Sequence, residues 1–375
     1  MAKKLSFPDR VYLAFRGAAK KSRLARRLFV LSCRYLRKGL NTKIREDLPR
    51  AIAAFVPEQR KKDREYMAKL EKDIIENGFV YSMSPAEYFL LGIEDMQDRE
   101  KLQFVGDYEK AWLCQRLESA KGKQILRDKY KTYVFFKAFF GREVIPVCSL
   151  DDKDALFAFI KQHEGAIVKL SDSAMGKGVT LVRDDAEEML RFWDSISQSV
   201  REGASYVAEE LIRQSAEMAA FHPKSVNTIR MMTFKTRDGV VFLDSFLRLG
   251  RGESVVDNAG SGGLFAEIDL EKGVVIGDAI TETGERYAVH PDTGVKISGF
   301  AIPHWQELLK LSRQLAEMLP EQKYVGWDLA LTDEGWVVVE GNSRAQFVNQ
   351  YPDRNGMRER VRKYFYPELD LTKDY

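Results

Sequence analysis

The sequence predicts an α+β fold in which a mostly helical N-terminal region precedes a body rich in antiparallel strands. Up to about residue 125 the apolar residues recur at helical spacing. From Ala166 onward short β-rich runs dominate, and helical stretches return only at Ala186–Val200 and Pro303–Leu319. Runs of strands with few helices between them favour an antiparallel sheet over a doubly wound parallel one.

Composition excludes several protein classes. Of the 375 residues 45% are hydrophobic and 31% are charged, which is typical of a globular chain long enough for two or three domains. No apolar run approaches the roughly 18 residues of a membrane-spanning helix. Three widely spaced cysteines indicate neither a disulfide framework nor a metal knuckle. With no apolar core near the first residues to suggest a signal peptide, we expect a cytoplasmic protein.

The first 50 residues form a strongly basic arm, with 15 Lys and Arg against three acidic residues. Within it Leu24, Leu28, Leu31 and Tyr35 fall on one face of a predicted helix. The simplest expectation is that this stripe packs onto the body of the protein. The alternatives are that the arm meets an anionic membrane surface or an anionic glycan at the inner face of a membrane. Nucleic acid is not indicated, because no aromatic stacking pattern accompanies the charge.

Several common catalytic motifs are absent from the sequence. It contains no GxxxxGK[ST] loop, HExxH, CxxC or GxSxG. The four histidines, His163, His222, His290 and His304, are too scattered to suggest a ligand cluster. Histidine-based hydrolysis is therefore not indicated.

The segment AIVKLSDSAMGKGVTLV has the character of a phosphate-binding loop. A strand ends near Lys169, a loop of small residues follows, and a second strand starts near Gly178. Backbone N–H groups of such a loop, together with Lys169 and Lys177, suit phosphate oxygens. The alternative is a simple hairpin with no ligand.

A strand followed by acidic residues, YVAEELIRQSAE, is the weakest of these features. Its polar groups could form hydrogen bonds with the edge of a nucleotide base, and Glu217 could bind the ribose diol. Exposed acidic residues near strand ends are common, so the sequence by itself favours a solvated segment here.

The most specific feature is VGWDLALTDEGWVVVEGN, which predicts a hairpin of two strands joined by a TDEG turn. Alternation along the second strand puts Glu340 and Asn342 on one face, and the hairpin brings Asp328 across from them. Two carboxylates and a carboxamide suit Mg²⁺, which keeps water and substrate phosphates as its other ligands. A merely solvated face is disfavoured, because the neighbouring valines indicate a buried strand.

The order of these motifs resembles the ATP-grasp superfamily, and further segments narrow the resemblance. The dipeptide Asp128-Lys129, the loop after Lys169, the acidic linker, and the WD and EGN strings occur in the order typical of that superfamily. SVNTIRMMTF, FLRLGRGESVVDNAGSGGLFAEIDL, HPDTG and GFAIPHW look like the sugar-transfer-associated ATP-grasp family, an alpha-L-glutamate ligase-like group. The resemblance runs from about Ser84 to Tyr351, so the basic arm lies outside it.

The resemblance implies a role for each matching residue. Lys129 and Lys169 would hold the α- and β-phosphates of ATP, while Asp328, Glu340 and Asn342 would hold one or two Mg²⁺ ions. Arg248, or else Arg230 or Arg251, would sit by the γ-phosphate, and Asn258 with the following glycines would shape the acceptor side. The remaining ATP-binding positions are a mobile loop with Ser173, Gly176, Lys177 and Gly178, an adenine contact at Glu209, backbone groups from Glu210, Leu211 and Ile212, and a ribose contact at Glu217. Many ATP-grasp ligases carry an arginine two residues before the first magnesium aspartate, whereas this sequence has Gly326 there.

The resemblance further implies an ATP-dependent ligase that forms ADP and phosphate through an acylphosphate. We expect a carboxylate substrate and an amine or hydroxyl acceptor, such as a sugar or a cell-surface polysaccharide precursor. One alternative is a phosphotransferase on the same fold, and a second is a non-catalytic protein that senses nucleotide and docks on a membrane or glycan. The corresponding domain expectation is a basic arm at 1–50, a helical region at 51–125, and two ATP-grasp subdomains at 126–212 and 213–375.

Overall fold

The computed structural model describes residues 6–172, 178–257, 262–347, 350 and 356–371. The chain forms two compact units, one from Met1–Leu117 with Gln346–Tyr375 and one from Glu118–Ala345. The α+β class predicted from the sequence is confirmed. The predicted four-part division does not nest within these two units, since the structure groups Gln346–Tyr375 with the N-terminal residues, and it stays a prediction.

The first unit is helical in its described N-terminal part. Its helices begin where side chains can satisfy free backbone N–H groups, as at Ser6 and Ser84, each of which forms a capping box with the acidic residue three positions later. The helices are α1 (Phe7–Lys21), α2 (Arg23–Leu36), α3 (Lys38–Phe55), α4 (Glu58–Lys61), α5 (Arg64–Val80), α6 (Pro85–Leu90), α7 (Asp98–Lys101) and α8 (Asp107–Leu117).

The second unit contains two antiparallel sheets with helices between their strands. The smaller sheet has the strand order β1-β4-β2-β3 and the larger one β11-β10-β5-β6-β7-β8-β9. Its helices are α9 (Ala120–Leu126), α10 (Lys129–Phe136), α11 (Lys153–Gln162), α12 (Ala186–Arg201), α13 (Ala216–Ala219) and α14 (Trp305–Met318). Its strands are β1 (Val144–Val147), β2 (Gly165–Leu170), β3 (Thr180–Arg183), β4 (Tyr206–Glu209), β5 (Thr228–Thr236), β6 (Gly239–Leu249), β7 (Leu264–Asp269), β8 (Val274–Ile280), β9 (Arg286–Tyr287), β10 (Tyr324–Thr332) and β11 (Gly335–Asn342).

Strand β1 lies outside the strand-rich region predicted to begin at Ala166. It is four residues long and contains Pro146, which cannot donate a ladder hydrogen bond and so weakens the strand pattern. The structure explains how the proline is tolerated, because β1 is an edge strand of the smaller sheet, next to β4.

The first unit is completed by a helix from the far end of the chain, α15 (Arg358–Glu368). Arg358 of this helix and Arg16 of α1 both bond the carboxylate of Glu109, and all three side chains are buried. The Arg16 Nη2–Glu109 Oε2 distance is 2.7 Å, and Tyr366 Oη accepts a 2.8 Å bond from Arg358. The two guanidinium groups hold the pKa of Glu109 well below its usual range, despite the opposing effect of burial.

The apolar stripe of the basic arm does not pack onto the protein, so the simplest expectation for it was wrong. Leu24, Leu28, Leu31 and Tyr35 are 53% to 75% exposed. Helix α2 instead buries its opposite face, which carries Phe29, Val30 and Cys33. The helix is apolar on two sides, and periodicity alone does not tell which side meets the core. Among the described residues, no helix has both the length and the apolar content needed to cross a bilayer.

Candidate active site

A buried ion cluster lies where β2 and β4 of the smaller sheet run side by side. Lys169 on β2 and Glu209 at the end of β4 form an ion pair with a 2.7 Å Nζ–Oε1 distance. The other oxygen of Glu209 accepts hydrogen bonds of 3.1 and 2.7 Å from Nε and Nη2 of Arg142. Burial raises the pKa of Glu209, but Lys169 and Arg142 outweigh burial and lower that pKa from 4.5 to about 2. The carboxylate is therefore charged at neutral pH and fixes both cations.

Lys129 joins this cluster because its helix start is tied to the end of β2. Its backbone N–H donates to Ser171 O at 2.9 Å, and Ser171 Oγ bonds Asp128 at 2.9 Å. The Lys129 ammonium donates to Leu170 O at 3.0 Å. Its pKa is lowered, first by burial, and the neighbouring charges of Glu340 and Lys169 also act on it. Lys129 thus lies within electrostatic range of both the smaller sheet's cluster and the larger sheet's acidic face.

The acidic face lies on the predicted hairpin, now seen as β10 and β11. Asp328 is directly opposite Glu340 and Gly326 is opposite Asn342, with a bulge next to the Asp328 pair. Asn342 Nδ2 donates to Glu340 Oε1 at 2.9 Å, so these two side chains share a face as expected. The turn and the alternation of apolar residues were sufficient to predict this arrangement.

Two arginines from the neighbouring strands hold the Asp328 carboxylate. Arg230 on β5 bonds both of its oxygens, with 2.7 Å between Nη2 and Oδ2, and Arg248 on β6 bonds Oδ2 at 2.6 Å. Burial raises the pKa of Asp328, but these two arginines dominate and hold it well below the usual range. Arg248 also pairs with the buried Asp257 at 3.0 Å. The result is an alternating network of buried charges at the centre of the larger sheet.

Arg142 connects the two parts of the site. Besides binding Glu209, it donates from Nη1 to Val338 O at 2.7 Å, and Val338 lies on β11 two residues before Glu340. The smaller sheet's cation cluster and the larger sheet's acidic face therefore border one region of the second unit. Sequence reasoning missed Arg142, which has no motif around it, and Asp257, which lies within the quoted FLRLGRGESVVDNAGSGGLFAEIDL segment but was passed over in favour of its neighbour Asn258.

The other predicted site residues fall in three groups. Arg251 is not part of the Asp328 network, since it bonds Tyr287 Oη at 3.1 Å and approaches Glu285. Glu210 faces away from Glu209 toward Glu143 and His163, whereas Leu211 and Ile212 are half-buried and Glu217 is exposed. Gly178 has a positive φ of 72° at the start of the described chain after the loop. Ser173, Gly176, Lys177 and Asn258 lie outside the described residues.

A model of the sugar-transfer associated ATP-grasp family matches residues 112–364, well over half of the chain. The chain belongs to that family. The family resemblance drawn from the sequence is therefore confirmed. None of the curated proteins compared with this sequence matches it.

Solved structures of other ATP-grasp proteins are similar to the chain at low identity. An N5-carboxyaminoimidazole ribonucleotide synthetase in complex with ADP has 9% identity and a TM-score of 0.43, over 72% of this chain and 60% of that one. The ATP-grasp ligase PsnB has 13% identity and a TM-score of 0.37, over 68% and 60%. D-alanine-D-alanine ligase from Helicobacter pylori has 13% identity and a TM-score of 0.40, over 72% and 69%. The chain thus spans about 60% of the length of the first two, and the family assignment depends on the family match alone.

Gly326, at the position where many ATP-grasp ligases have arginine, is crowded by the side chain of Arg230. A Cβ atom at residue 326 would lie 2.4 Å from Ala345 Cβ and 3.0 Å from Arg230 Cδ. Arg230 itself comes from the adjacent strand, directly across from Asp328. In this ATP-grasp protein the guanidinium beside the aspartate is therefore supplied by β5, and the small residue at 326 leaves room for it.

We expect Gly326→Ala to destabilise the second unit by about 1–3 kcal/mol and to lower ATP turnover, because the added methyl group displaces Arg230 or Ala345. Ala345→Gly in the same molecule removes the closest contact and should restore much of both. Urea unfolding and turnover assays of the two single variants and the double variant measure the coupling. If the loss of stability in the double variant equalled the sum of the losses in the two single variants, the proposed crowding would be contradicted.

Proposed function

We propose that the protein is a carboxylate–amine or carboxylate–hydroxyl ligase that attaches an amino acid or another acid to a sugar or cell-surface polysaccharide precursor. The single observation that carries the proposal is the link through Arg142 between the Lys169–Glu209 pair and the strand of Glu340. Because of this link, the cations that would bind phosphate and the oxygen ligands that would bind Mg²⁺ border the same region of the second unit. The description of the family, which is associated with sugar transfer, supports the acceptor class.

Asp328, Glu340 and Asn342 would hold Mg²⁺. Carboxylate and amide oxygens are the ligands that this ion prefers, and the amide nitrogen of Asn342 is bonded to Glu340, which turns its oxygen to the other side. Asp328, Asp257 and Glu340 together exceed Arg230 and Arg248 by one negative charge. Among the described residues no three His, Cys, Asp or Glu side chains are grouped to hold a metal ion, and the proposed set instead adds the Asn342 amide to two carboxylates. When bound, the ion would supply charge neutralisation for the phosphates.

The cations would act on the nucleotide from two sides. Lys129 and Lys169 would hold the α- and β-phosphates, with Glu209 and Arg142 keeping Lys169 in position. A contact between Glu209 and the adenine amino group would therefore form while the same carboxylate still holds Lys169 and Arg142. Arg248 and Arg230, anchored by Asp328, would stabilise the charge on the transferred γ-phosphoryl group.

The reaction proceeds in two displacements. A substrate carboxylate oxygen attacks the γ-phosphorus, the bond from that phosphorus to the β–γ bridging oxygen breaks, and ADP leaves. An amine or hydroxyl then attacks the acyl carbon of the acylphosphate, loses its proton, and expels inorganic phosphate. Such transfer requires positioning and charge neutralisation more than a strong base, which agrees with the abundance of cations at this site.

The test is product analysis with purified protein, ATP, Mg²⁺ and a panel of amino acids paired with amino sugars. We expect ADP, inorganic phosphate and an amide or ester by mass spectrometry. With an ¹⁸O-labelled carboxylate substrate, one labelled oxygen should appear in the released phosphate, because the acylphosphate bridges through that oxygen. A phosphorylated acceptor without free phosphate would instead establish a phosphotransferase, and ATP turnover that never yields an amide or ester would reject ligation.

A further inference from the structure

The outer face of helix α2 carries a continuous apolar row that points away from the core of its unit. Leu24, Leu28, Leu31 and Tyr35 follow at spacings of four, three and four, so at about 100° per residue they lie within roughly 60° of one another. The buried residues of α2, Phe29–Val30 and Cys33, lie on the other side of the same helix. The row is therefore available to a partner.

Helix α1 repeats the arrangement and packs against α2. Its Phe7, Val11 and Phe15 are exposed, at spacings of four, while Leu13 and Ala19 are buried. Large exposed apolar side chains are individually common, but rows of them on two adjoining helices mark an interaction surface. We call residues 7–36 the N-terminal helix pair.

The charge of the helix pair is entirely positive between residues 10 and 38, where the sequence has no Asp or Glu. Arg23, Arg27 and Arg34 each come one position before a member of the apolar row, so they form a parallel line along one edge of it. All three are exposed, and no carboxylate partner is seen for them among the described residues. By contrast Arg16 and Arg26 turn inward and form ion pairs with Glu109 and Asp98.

We propose that the N-terminal helix pair docks this protein on an anionic lipid bilayer, lying in the plane of the interface. The leucine and phenylalanine side chains enter the boundary between headgroups and acyl chains, and the arginine line meets the lipid phosphates. Charge selects this occupant over a second copy of the chain, because two such faces would bring like charges together. Docking by this surface is independent of the ligase reaction.

Vesicle sedimentation of the full chain tests the proposal. We expect binding to vesicles of phosphatidylglycerol and phosphatidylcholine in equal amounts, at least tenfold stronger than binding to phosphatidylcholine alone. Raising salt from about 0.1 M to about 1 M should weaken it, since the screening length falls from about 10 Å to about 3 Å. Arg27→Gln with Arg34→Gln should weaken binding roughly fivefold per charge.

The apolar contribution is tested separately by Leu28→Glu, which should abolish vesicle binding and leave the fold intact because Leu28 is exposed. The matched control is Leu190→Glu on α12, a leucine that is 46% exposed on a helix of the other unit, and it should bind vesicles like the natural protein. Circular dichroism checks that each variant is folded. Equal binding to both vesicle types, loss of binding in the Leu190 variant, or a dimer in light scattering that Leu28→Glu dissociates would each overturn the proposal.

Discussion

Asp328→Asn should reduce the rate of ATP-dependent product formation by about 10³-fold, the effect expected when one key electrostatic partner is removed from such a site. The amide has the same shape as the carboxylate but no charge, so it neither anchors Arg230 and Arg248 as strongly nor serves Mg²⁺ as well. The fold should survive, because Arg248 keeps Asp257 and Glu340 as nearby counter-charges and Arg230 keeps Asp257. Steady-state measurement of ADP and phosphate release gives the result.

The control for this experiment lies on the same hairpin. Asp333→Asn changes an exposed aspartate in the turn between β10 and β11 and should leave the rate within about twofold of the natural protein. Vesicle binding should be unchanged in both variants, since the N-terminal helix pair is separate from the reaction. A natural rate in Asp328→Asn would refute the role of this carboxylate, and with it the magnesium assignment.

Glu109→Gln should destabilise the helical unit by about 3–5 kcal/mol. Removing this charge leaves Arg16 and Arg358 buried together without their common anion, and the desolvation of two guanidinium groups is then uncompensated. Urea unfolding followed by the helical circular dichroism signal measures the loss.

Glu58→Gln is the matched variant for this measurement, because it makes the same change at a glutamate that is 84% exposed and forms an ion pair with Lys61 of its own helix. It should alter the free energy of unfolding by less than about 0.5 kcal/mol. If the two variants were equally stable, the Glu109 cluster would contribute nothing beyond a surface ion pair.

The hairpin of Asp328 and Glu340 was predictable from sequence because every link in its argument is local. A turn signal, strand alternation and a short loop determine which residues face one another. The Arg142–Glu209 contact spans 67 residues and joins the turn before β1 to the end of β4, which neighbours β1 in the sheet but not in sequence, so no window of sequence contains it. The sequence likewise left the γ-phosphate arginine open among Arg248, Arg230 and Arg251, and only the sheet order β10-β5-β6 shows that Arg230 and Arg248 both contact Asp328.

The basic arm illustrates a different limit. A helical period reveals that α2 is amphipathic, but the helix has two apolar sides, one with leucines and one with Phe29 and Val30. Which side is buried depends on the shape of the surface that the rest of the unit offers. That shape is set by helices α3 and α5, which both contact α2; α3 follows α2 directly, whereas α5 begins only at Arg64.

The shared ion cluster of Glu109 sets an order of events during synthesis on the ribosome. Arg358 is 249 residues beyond Glu109, which corresponds to roughly 10–50 s of translation. The contiguous segment Glu118–Ala345 emerges in full before then and can fold as a finished body. The helical portion made first is consequently the portion completed last, and its nascent chain must keep Glu109 and Arg16 hydrated until the final helix arrives.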